Sequence, residues 1–215
     1  MTVNIFFTNW RRRDHLYKII EAIKSQTLVP NIFVIDNASS DPLNRFDANF
    51  QDVKVIPSDN SKMCWERWLS ALDFAGDYSC IMDDDIIFTQ NNVIEKCFHY
   101  MEQNKKVDAI GAYGVKYLKQ LGYFRSEHTY CKHKDVPVPI LKGRFMFVRN
   151  SSIAYLNRET EPTCDDIKVS SFLRVKVLPG CLVNSFEDLP TGNESLSAKS
   201  YQSTKREYAA NRYFK

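Results

Sequence analysis

Residues Cys80–Phe88, CIMDDDIIF, place three consecutive carboxylates, Asp83–Asp85, between two apolar segments. The apolar residues on either side are typical of a buried strand, and buried strands rarely carry adjacent charges. Like charges this close repel each other and raise each other's pKa, so keeping all three ionised requires a nearby cation. Three carboxylates in a row therefore indicate a functional site at a strand end, and a solvated turn after a strand is the simpler alternative.

Upstream of this triplet, the chain alternates between strand patterns and helix patterns. Strands are predicted at Asn4–Thr8, Ile32–Asp36, Val53–Pro57 and Ser79–Met82, and amphipathic helices around residues 16–23, 65–72 and 94–101. Apolar strands that alternate with helices predict a parallel sheet covered on both faces, which is an α/β fold.

Local signals also predict where these helices begin and end. Asp14 is expected to cap the first helix, and Gly76 is expected to end the second. Asn92, followed three residues later by Glu95, resembles a capping box at the start of the third helix.

The second half of the chain has a less regular pattern. Single strands are predicted at Ala109–Val115, Ile140–Val148 and Val175–Val183, and a terminal helix, either packed on the body or loosely attached, at Tyr201–Tyr213. Residues 116–139 have no clear period, and we interpret them as a long excursion. We expect one domain over residues 1–215, with halves at 1–115 and 116–215.

The composition is that of a soluble globular protein, with 44% hydrophobic and 26% charged residues. The net charge of +3 gives no strong attraction to nucleic acid or to an anionic membrane. The N-terminus lacks the pattern of a signal peptide, and no apolar run is long enough for a membrane span. Six cysteines without regular spacing are expected to be reduced thiols, so we predict a cytoplasmic protein.

Three polar segments lie at the carboxyl ends of predicted strands: Thr8–Asn9, Asp36–Asn37 and Asp83–Asp85. In an open α/β sheet, ligands bind outside the carboxyl ends of the strands, so these segments are expected to share one crevice. Carboxylate oxygens favour the hard cations Mg²⁺ and Mn²⁺. Because two or three carboxylates rarely complete such a coordination shell, water and substrate phosphate oxygens are expected to supply the rest.

The residues from Phe6 to Asp41, FFTNWRRRDHLYKIIEAIKSQTLVPNIFVIDNASSD, resemble the opening of GT-A fold glycosyltransferases of the family 2 type. Met82–Asp85, MDDD, is similar to the D-x-D element of that superfamily. The resemblance is good over residues 3–90 and looser beyond them. A weaker resemblance is to the capsid-decorating glycosyltransferases of chlorella viruses, which would place the protein in the host cytoplasm.

This resemblance implies a site for a nucleotide-sugar donor. Thr8 and Asn9 would line the base and ribose, and Asp36 would accept a hydrogen bond from the uracil N–H. Asp36 as the first residue of an Asx turn is the structural alternative. Asp85 would bind the metal ion that bridges the two phosphates, and Asp83 would face the ribose or the sugar and assist with the metal.

Three further residues, Asp84, Arg67 and Arg11, are assigned to the donor site. Arg67 lies on the second predicted helix, where a surface charge is an equally good interpretation. Arg11, with Arg12 and Arg13, precedes the first helix, whose positive end disfavours cations. An anion bound there would account for this cluster, because backbone N–H groups and guanidinium groups would both hold it. Solvated arginines are the alternative.

A second acidic pair, Asp165 and Asp166, begins a predicted helix within Glu159–Arg174, ETEPTCDDIKVSSFLR. As helix-capping residues they need no other role. The segment also resembles the acceptor-side acidic motif of the same glycosyltransferases, in which a carboxylate of inverting enzymes takes the proton of the acceptor hydroxyl. We therefore assign the catalytic base to Asp166 or Asp165, and leave the choice between them open.

Many relatives carry a late histidine as a further metal ligand, whereas no histidine follows His133 in this chain. Glu187 and Asp188 are candidates to replace it, and water is another. Further upstream, Gly143 is expected to let the backbone approach the sugar, and Arg144 to contact a phosphate or the acceptor. A plain core strand is the alternative for that segment.

These observations predict a glycosyltransferase that uses Mn²⁺ or Mg²⁺ to move a hexose from a UDP-sugar to a hydroxyl of a glycan or glycoprotein. Residues 116–215 would form the acceptor side, with 116–139 as acceptor contact or lid. One alternative is a sugar-phosphate nucleotidyltransferase, which usually has a glycine-rich loop where this chain has TNWRRRD (Thr8–Asp14). The other alternative is a non-catalytic carbohydrate-binding relative.

Overall fold

The computed structural model describes residues 1–10, 12–38, 43, 50–125, 127–130, 134–159, 164–190 and 200–214. Its strands are β1 (Val3–Asn9), β2 (Asn31–Asn37), β3 (Val53–Ser58), β4 (Tyr78–Met82), β5 (Ile86–Phe88), β6 (Ala109–Gly111), β7 (Tyr113–Lys116), β8 (Glu127–Tyr130), β9 (Val136–Pro137), β10 (Ile140–Leu141), β11 (Phe145–Arg149), β12 (Lys176–Leu178) and β13 (Phe186–Asp188). Its helices are α1 (Arg13–Lys24), α2 (Glu66–Asp73), α3 (Val93–Gln103), α4 (Gly122–Arg125), α5 (Asn150–Ile153), α6 (Asp165–Phe172) and α7 (Ser200–Tyr213).

An eight-stranded sheet with the order β3-β2-β1-β4-β11-β6-β12-β9 forms the centre of the molecule. Strands β3, β2, β1 and β4 run parallel to one another, whereas β11 pairs antiparallel with both β4 and β6. Every residue of β1 and β4 is buried, as expected for inner strands that are covered on both faces. The predicted α/β fold with a mainly parallel sheet is therefore confirmed.

The apolar faces predicted for the first three helices are also confirmed. Their buried members include Leu16, Ile19, Ile20 and Ile23 in α1, Trp68 and Leu69 in α2, and Ile94, Cys97 and Met101 in α3. These side chains join the sheet residues in one hydrophobic core. The five cysteines in the described part of the chain are free thiols, as predicted, and Cys131 lies outside it.

The local caps predicted for α1 and α3 are wrong, and a tertiary contact caps α3 instead. Arg12, not Asp14, occupies the N-cap position of α1. Asn92 occupies the N-cap position of α3, but its side chain makes no capping hydrogen bond. Gln26 supplies the cap instead, because its Oε1 accepts hydrogen bonds from the N–H groups of Val93 and Ile94 at 2.8 and 3.3 Å. A side chain from the segment after α1 thus caps α3, although the sequence predicts a cap from residues next to the helix.

Gly76 has a packing role and does not end α2, which stops at Asp73. A Cβ atom added to Gly76 would lie 2.7 Å from Asn4 Nδ2, which is too close for any larger residue without a shift. The Gly76 carbonyl also accepts a 2.9 Å hydrogen bond from Asn150 Nδ2. The missing side chain therefore allows the loop before β4 to pack against β1.

Strands predicted in the second half are shorter than expected or divided. The segment at 109–115 splits into β6 of the central sheet and β7 of a second sheet with the order β10-β7-β8, and the segment at 140–148 splits into β10 and β11. Strand β12 ends at Leu178, and a 3₁₀ turn follows at Gly180–Leu182. The predicted excursion at 116–139 contains α4, β8 and β9. An apolar run indicates that a segment is buried but not which sheet it joins. The division of these two segments between the two sheets could therefore not be predicted.

The terminal helix α7 packs on the body, against α4 and α6. Its Ala209 and Ala210 are buried in a second apolar cluster that also contains Tyr123, Ile140 and Ile167. The predicted helix at 201–213 is confirmed, in its packed form. Within the described residues, no helix combines the length and the apolar character that crossing a membrane requires.

Candidate functional site

The carboxyl ends of β1, β2 and β4 meet at one edge of the central sheet, as the sequence predicts. Asn9 lies beside Asp36 in the parallel register of β1 and β2, and Asn9 Nδ2 donates a 3.3 Å hydrogen bond to Asp36 Oδ1. Phe7 lies beside Met82 in the register of β1 and β4. The triplet Asp83–Asp85 follows Met82 directly, so it begins next to the residues that end β1.

Asp36 is held inside this edge of the sheet. It is 7% exposed, and its Oδ2 accepts a 2.9 Å hydrogen bond from the N–H of Leu43 while its Oδ1 accepts the bond from Asn9. Thr8 and Asn9 are buried as well. The observed bonds join Asp36 to Asn9 and to Leu43, and its contact with a uracil base stays a prediction.

Three guanidinium groups face the triplet Asp83–Asp85. Arg67 bonds the first carboxylate at 2.6 Å, Arg12 bonds the second and third at 2.6 and 3.1 Å, and Arg144 lies 3.5 Å from the third. The cation that three adjacent carboxylates require is thus already present as arginine side chains. Arg11, which was assigned to the donor site, lies outside the described residues, as do Ser39–Asp41.

The arginines do not fully offset the burial of these carboxylates. Burial raises the pKa of Asp84 to about 7, although Arg12 acts in the opposite direction. Burial likewise raises the pKa of Asp83 against the effect of Arg67. At neutral pH the triplet therefore carries less than its full negative charge, and a further cation at this point would favour full ionisation.

Strand β13 brings Asp188 to the same arginine as the triplet. Arg144 Nη2 donates a 2.6 Å hydrogen bond to Asp188 Oδ1, and the N–H of Leu189 donates to the carbonyl of Asp85 at 2.8 Å. This follows from the antiparallel pairing of β13 with β5, the strand directly after the triplet. Glu187, the other candidate for a late ligand, is exposed. Over the residues that the structure describes, no three Asp, Glu, His or Cys side chains form a group that could hold a metal ion.

Asp165 lies at the start of α6 and connects this helix to α2. Cys164 occupies the N-cap position, and its side chain makes no capping hydrogen bond. Asp165 Oδ2 instead accepts hydrogen bonds from Arg67 Nη2 at 3.0 Å and from Trp68 Nε1 at 2.9 Å. The capping interpretation of this carboxylate is therefore wrong.

Asp166 is 3% exposed and accepts hydrogen bonds from three groups. Its Oδ2 accepts from the N–H of Gly143 at 3.2 Å and from Arg206 Nη2 at 2.6 Å, and its Oδ1 accepts from the N–H of Ile167 at 2.9 Å. Burial raises the pKa of Asp166, but Arg206 and the other donors outweigh it, so the pKa lies below its ordinary value. Burial raises the pKa of Asp165. The pKa values of these two adjacent carboxylates thus shift in opposite directions.

Arg67 joins the two acidic segments. Its side chain is 1% exposed, and its two terminal nitrogens bond Asp83 at 2.6 Å and Asp165 at 3.0 Å. It also donates to the carbonyl of Met82 at 2.8 Å. The interpretation of Arg67 as a surface charge is wrong. Its contact with a nucleotide stays a prediction, whereas its position between the two segments is a structural fact.

Gly143 leaves room for this arginine. A Cβ atom added to Gly143 would lie 3.3 Å from Arg67 Nη2 and 3.4 Å from Asp166 Cβ. The close approach expected of this glycine therefore involves the protein's own charged groups.

Sequence reasoning missed two residues at this site, Arg206 and Tyr123. Arg206 is 40 positions from Asp166, and its helix shows only a weak separation of polar and apolar residues, so no local pattern connects the two. Arg12 was recognised only as part of the basic cluster before α1.

A family model described as "Glycosyl transferase family 2" matches residues 5–178. The chain therefore belongs to glycosyltransferase family 2, and its mainly parallel sheet flanked by helices is the GT-A fold. No curated protein matches this chain.

Two solved structures are similar in fold. One is the mannosyltransferase PcManGT from Pyrobaculum calidifontis in complex with GDP-Man and Mn²⁺, with a TM-score of 0.59, 13% identity, and coverage of 82% of this chain and 54% of that one. The other is S. aureus TarS 1-349, with a TM-score of 0.62, 11% identity, and coverage of 84% and 58%. This chain thus spans a little over half the length of each, and at these identities the similarity concerns the fold.

Proposed function

We propose that this chain transfers a hexose from a UDP-sugar to a hydroxyl group of a glycan or glycoprotein. The observation that carries the proposal is the meeting of two acidic segments across Arg67, with Asp83–Asp85 at the end of β4 and Asp165–Asp166 at the start of α6. The first segment lies at the strand ends, where α/β proteins bind nucleotides. The second offers a carboxylate for proton removal. Membership of glycosyltransferase family 2 supports this reaction class.

On the acceptor side, we assign the general base to Asp166, whose carboxylate is ionised at neutral pH. A base must be ionised to accept a proton, and Asp166 has the lowered pKa of the two. In the transfer, the acceptor oxygen forms a bond to the anomeric carbon while the bond from that carbon to the nucleoside diphosphate breaks. The acceptor proton moves to the carboxylate, and the diphosphate leaves with the bonding electron pair.

On the donor side, the residues fit a divalent cation that takes most of its ligands from the diphosphate. The side chains of Asp83 and Asp85 are 32% and 15% exposed, so their oxygens are accessible from the crevice. One or two carboxylates plus substrate phosphates are a common ligand set for Mg²⁺ and Mn²⁺. When bound, such an ion neutralises the charge that develops on the departing nucleoside diphosphate. Asp85 and Asp83 would hold it.

Arg12 and Arg144 are placed to bind the diphosphate oxygens in the same crevice. Both now bond Asp85, and guanidinium groups bind carboxylate and phosphate with similar geometry. Exchange of one anion for the other requires only side-chain movement. The Mn²⁺ ion and GDP-Man held by the similar mannosyltransferase support a metal-bound donor, and they make GDP-mannose the second candidate.

The proposal is tested by measuring the melting temperature with a panel of UDP-sugars and GDP-mannose, each with and without Mn²⁺. A ligand that binds the native state raises the melting temperature, and at 100 times its Kd the gain is about 2.7 kcal/mol. We expect a Mn²⁺-dependent rise with a UDP-sugar, accompanied by slow release of UDP. A rise with GDP-mannose alone would reassign the donor.

The same assay separates the alternative functions. Binding without release of nucleoside diphosphate, also in the presence of a mixed glycan acceptor pool, would indicate a non-catalytic binding protein. Release of pyrophosphate from a nucleoside triphosphate and a sugar 1-phosphate would indicate a nucleotidyltransferase. The proposed function is wrong if no sugar nucleotide changes the melting temperature and none is consumed.

A further inference from the structure

The C-terminal helix α7 reaches the acceptor side of the crevice from outside the family-matched segment, which ends at residue 178. Its Arg206 extends to Asp166, with Nη2 2.6 Å from Oδ2. The Arg206 side chain is 15% exposed and that of Asp166 is 4% exposed. The pair is therefore a buried, charge-assisted contact between a helix outside the matched residues and the acidic pair of α6.

Tyr123 fixes the orientation of the Arg206 guanidinium. Arg206 Nε and Nη2 donate hydrogen bonds to the Tyr123 hydroxyl at 3.0 and 2.7 Å, and the guanidinium carbon lies 5.0 Å from the centre of the tyrosine ring. Burial raises the pKa of Tyr123 to about 12, so the hydroxyl is neutral over the working range of an enzyme. The arginine is thus held by a neutral group and directs its charge at Asp166.

A second contact fixes α7 at the same level. Glu207, adjacent to Arg206, accepts a 2.6 Å hydrogen bond from the N–H of Tyr123. Gly122 lies next to this contact with φ +72°, and an added Cβ would be 2.6 Å from Glu207 Oε1. This bond and the hydrogen bonds from Arg206 to the Tyr123 hydroxyl all join α7 to α4, so Arg206 and its orienting tyrosine form one unit.

Charged and titratable groups face Asp166 from every neighbouring element. They are Arg206 from α7, Lys142 from the segment between β10 and β11, Asp165 from α6 and Tyr123 from α4. Arg206 has the strongest effect of the surrounding charges in keeping Asp166 ionised, and Lys142 acts in the same direction. Without Arg206, a carboxylate that is 3% exposed would keep the hydrogen bonds from the backbone N–H groups of Gly143 and Ile167.

We propose that Arg206 is a positioning residue for glycosyl transfer, which holds Asp166 ionised and fixes its Oδ2 at the acceptor side of the crevice. This inference rests on the proposed function, because it assigns Arg206 a role in that reaction. It goes beyond the family match, since α7 is a feature of this chain outside residues 5–178. Without Arg206, burial would raise the pKa of Asp166 against fewer opposing groups, and a protonated carboxylate is no longer a base.

The experiment compares Arg206→Met, Arg206→Lys and the control Lys205→Met, which removes the same charge from an exposed position of α7. The measurements are kcat and donor KM for transfer as a function of pH, and the melting temperature. For Arg206→Met we expect kcat at neutral pH to fall about 10²-fold, the lower end of general-base contributions, with donor KM unchanged. The acid limb of the kcat profile should move to higher pH. Arg206→Lys should return the acid limb to its original pH, and Lys205→Met should give the same kcat profile as the original chain.

Two results would overturn the inference. One is an acid limb that stays in place in Arg206→Met, which would reduce the ion pair to a stabilising contact. The other is a rise in kcat, which would show that Arg206 restrains Asp166. If Arg206→Met does not fold, Tyr123→Phe keeps the charge and removes the hydroxyl that orients it. That variant should lower kcat with a smaller shift of the acid limb, and an unchanged kcat would overturn the inference.

Carbon-13 NMR titration of Asp166 separates this inference from the proposed function. If the chain transfers no sugar, the proposed function fails, and the titration still tests Arg206 directly. A higher midpoint for Asp166 in Arg206→Met than in the original chain supports the positioning role. Equal midpoints contradict it.

Discussion

The triplet Asp83–Asp85 and the pair Asp165–Asp166 are both runs of adjacent carboxylates, yet their partners differ. The triplet is bonded by arginine side chains from three segments, of which Arg67 is buried while Arg12 and Arg144 are partly exposed. The pair is buried, and its donors include the indole of Trp68 and the backbone N–H of Gly143, which have little freedom to move. In the proposed function, the first arrangement would exchange its arginine contacts for a ligand, whereas the second would keep Asp166 ionised. Similar residue runs are thus suited to different roles in the proposed reaction because their surroundings differ in exposure.

The largest expected effect comes from removing the residue that the two acidic segments share. Arg67→Met leaves the carboxylates of Asp83 and Asp165 without their common partner. Removing one partner of a buried ion pair costs about 3–5 kcal/mol, and urea unfolding measures the loss. Arg158→Met, which breaks an exposed pair with Asp73, is the matched control and should leave the unfolding midpoint unchanged.

Second substitutions in the Arg67→Met background sharpen the comparison. Asp165→Asn should recover more stability than Asp83→Asn, because Asp165 is 7% exposed and Asp83, at 32%, can be hydrated. Equal recovery would mean that Asp83 and Asp165 have equivalent environments, despite their different exposure.

The next effect concerns activity on the acceptor side. Asp166→Asn keeps the shape of the side chain but removes the base, so we expect kcat for transfer to fall about 10³-fold, within the range of general-base contributions. Donor Kd, measured by calorimetry with Mn²⁺ present, should stay the same. Asp165→Asn is the control from the same pair. If Asp165→Asn loses transfer while Asp166→Asn keeps it, the base is Asp165.

The position of Asp83–Asp85 could be predicted from the sequence, whereas the surroundings of Asp165–Asp166 could not, and the reason is physical. Parallel strands end at a common edge, so the positions of Asn9, Asp36 and Asp83–Asp85 follow from the strand pattern alone. The surroundings of Asp166 depend on Gly143 and Arg206, which reach it from other elements across the fold. Such contacts leave no period or spacing in the sequence. The same holds for the cap that Gln26 gives to α3.

A smaller effect appears in the pH dependence of stability. The folded-state pKa of Asp84 is about 7, above the ordinary value of 3.8 that applies to the unfolded chain. Between these values the folded protein binds the extra proton, so Asp84 stabilises the fold at low pH, and this contribution is lost as pH rises through the folded-state pKa. The loss is at most about 4 kcal/mol, from about 1.4 kcal/mol for each pKa unit.

Asp84→Asn should therefore be more stable than the original chain at high pH and equal to it below the unfolded-state pKa. Chemical unfolding at a series of pH values measures the difference. Asp52→Asn, at an exposed carboxylate, is the control and should give parallel curves. Addition of Mn²⁺ with a donor sugar nucleotide should remove the difference at neutral pH, because a bound cation favours the ionised triplet. A flat difference across pH would contradict the contrast between the partly neutralised triplet and the ionised Asp166.

The smallest expected effect on stability and transfer concerns the contacts around Asp165–Asp166 alone. Gly122 has φ +72°, and a Cβ there would meet Glu207 Oε1 at 2.6 Å, so Gly122→Ala strains the contact between α4 and α7. A left-handed conformation costs a residue with a Cβ about 1–2 kcal/mol, which sets the expected loss of stability. Transfer should fall only a few-fold, and donor binding at the triplet should not change. The double variant Gly122→Ala with Glu207→Ala removes the clash and keeps the backbone strain. If donor binding weakens along with transfer in Gly122→Ala, the two acidic segments do not act independently.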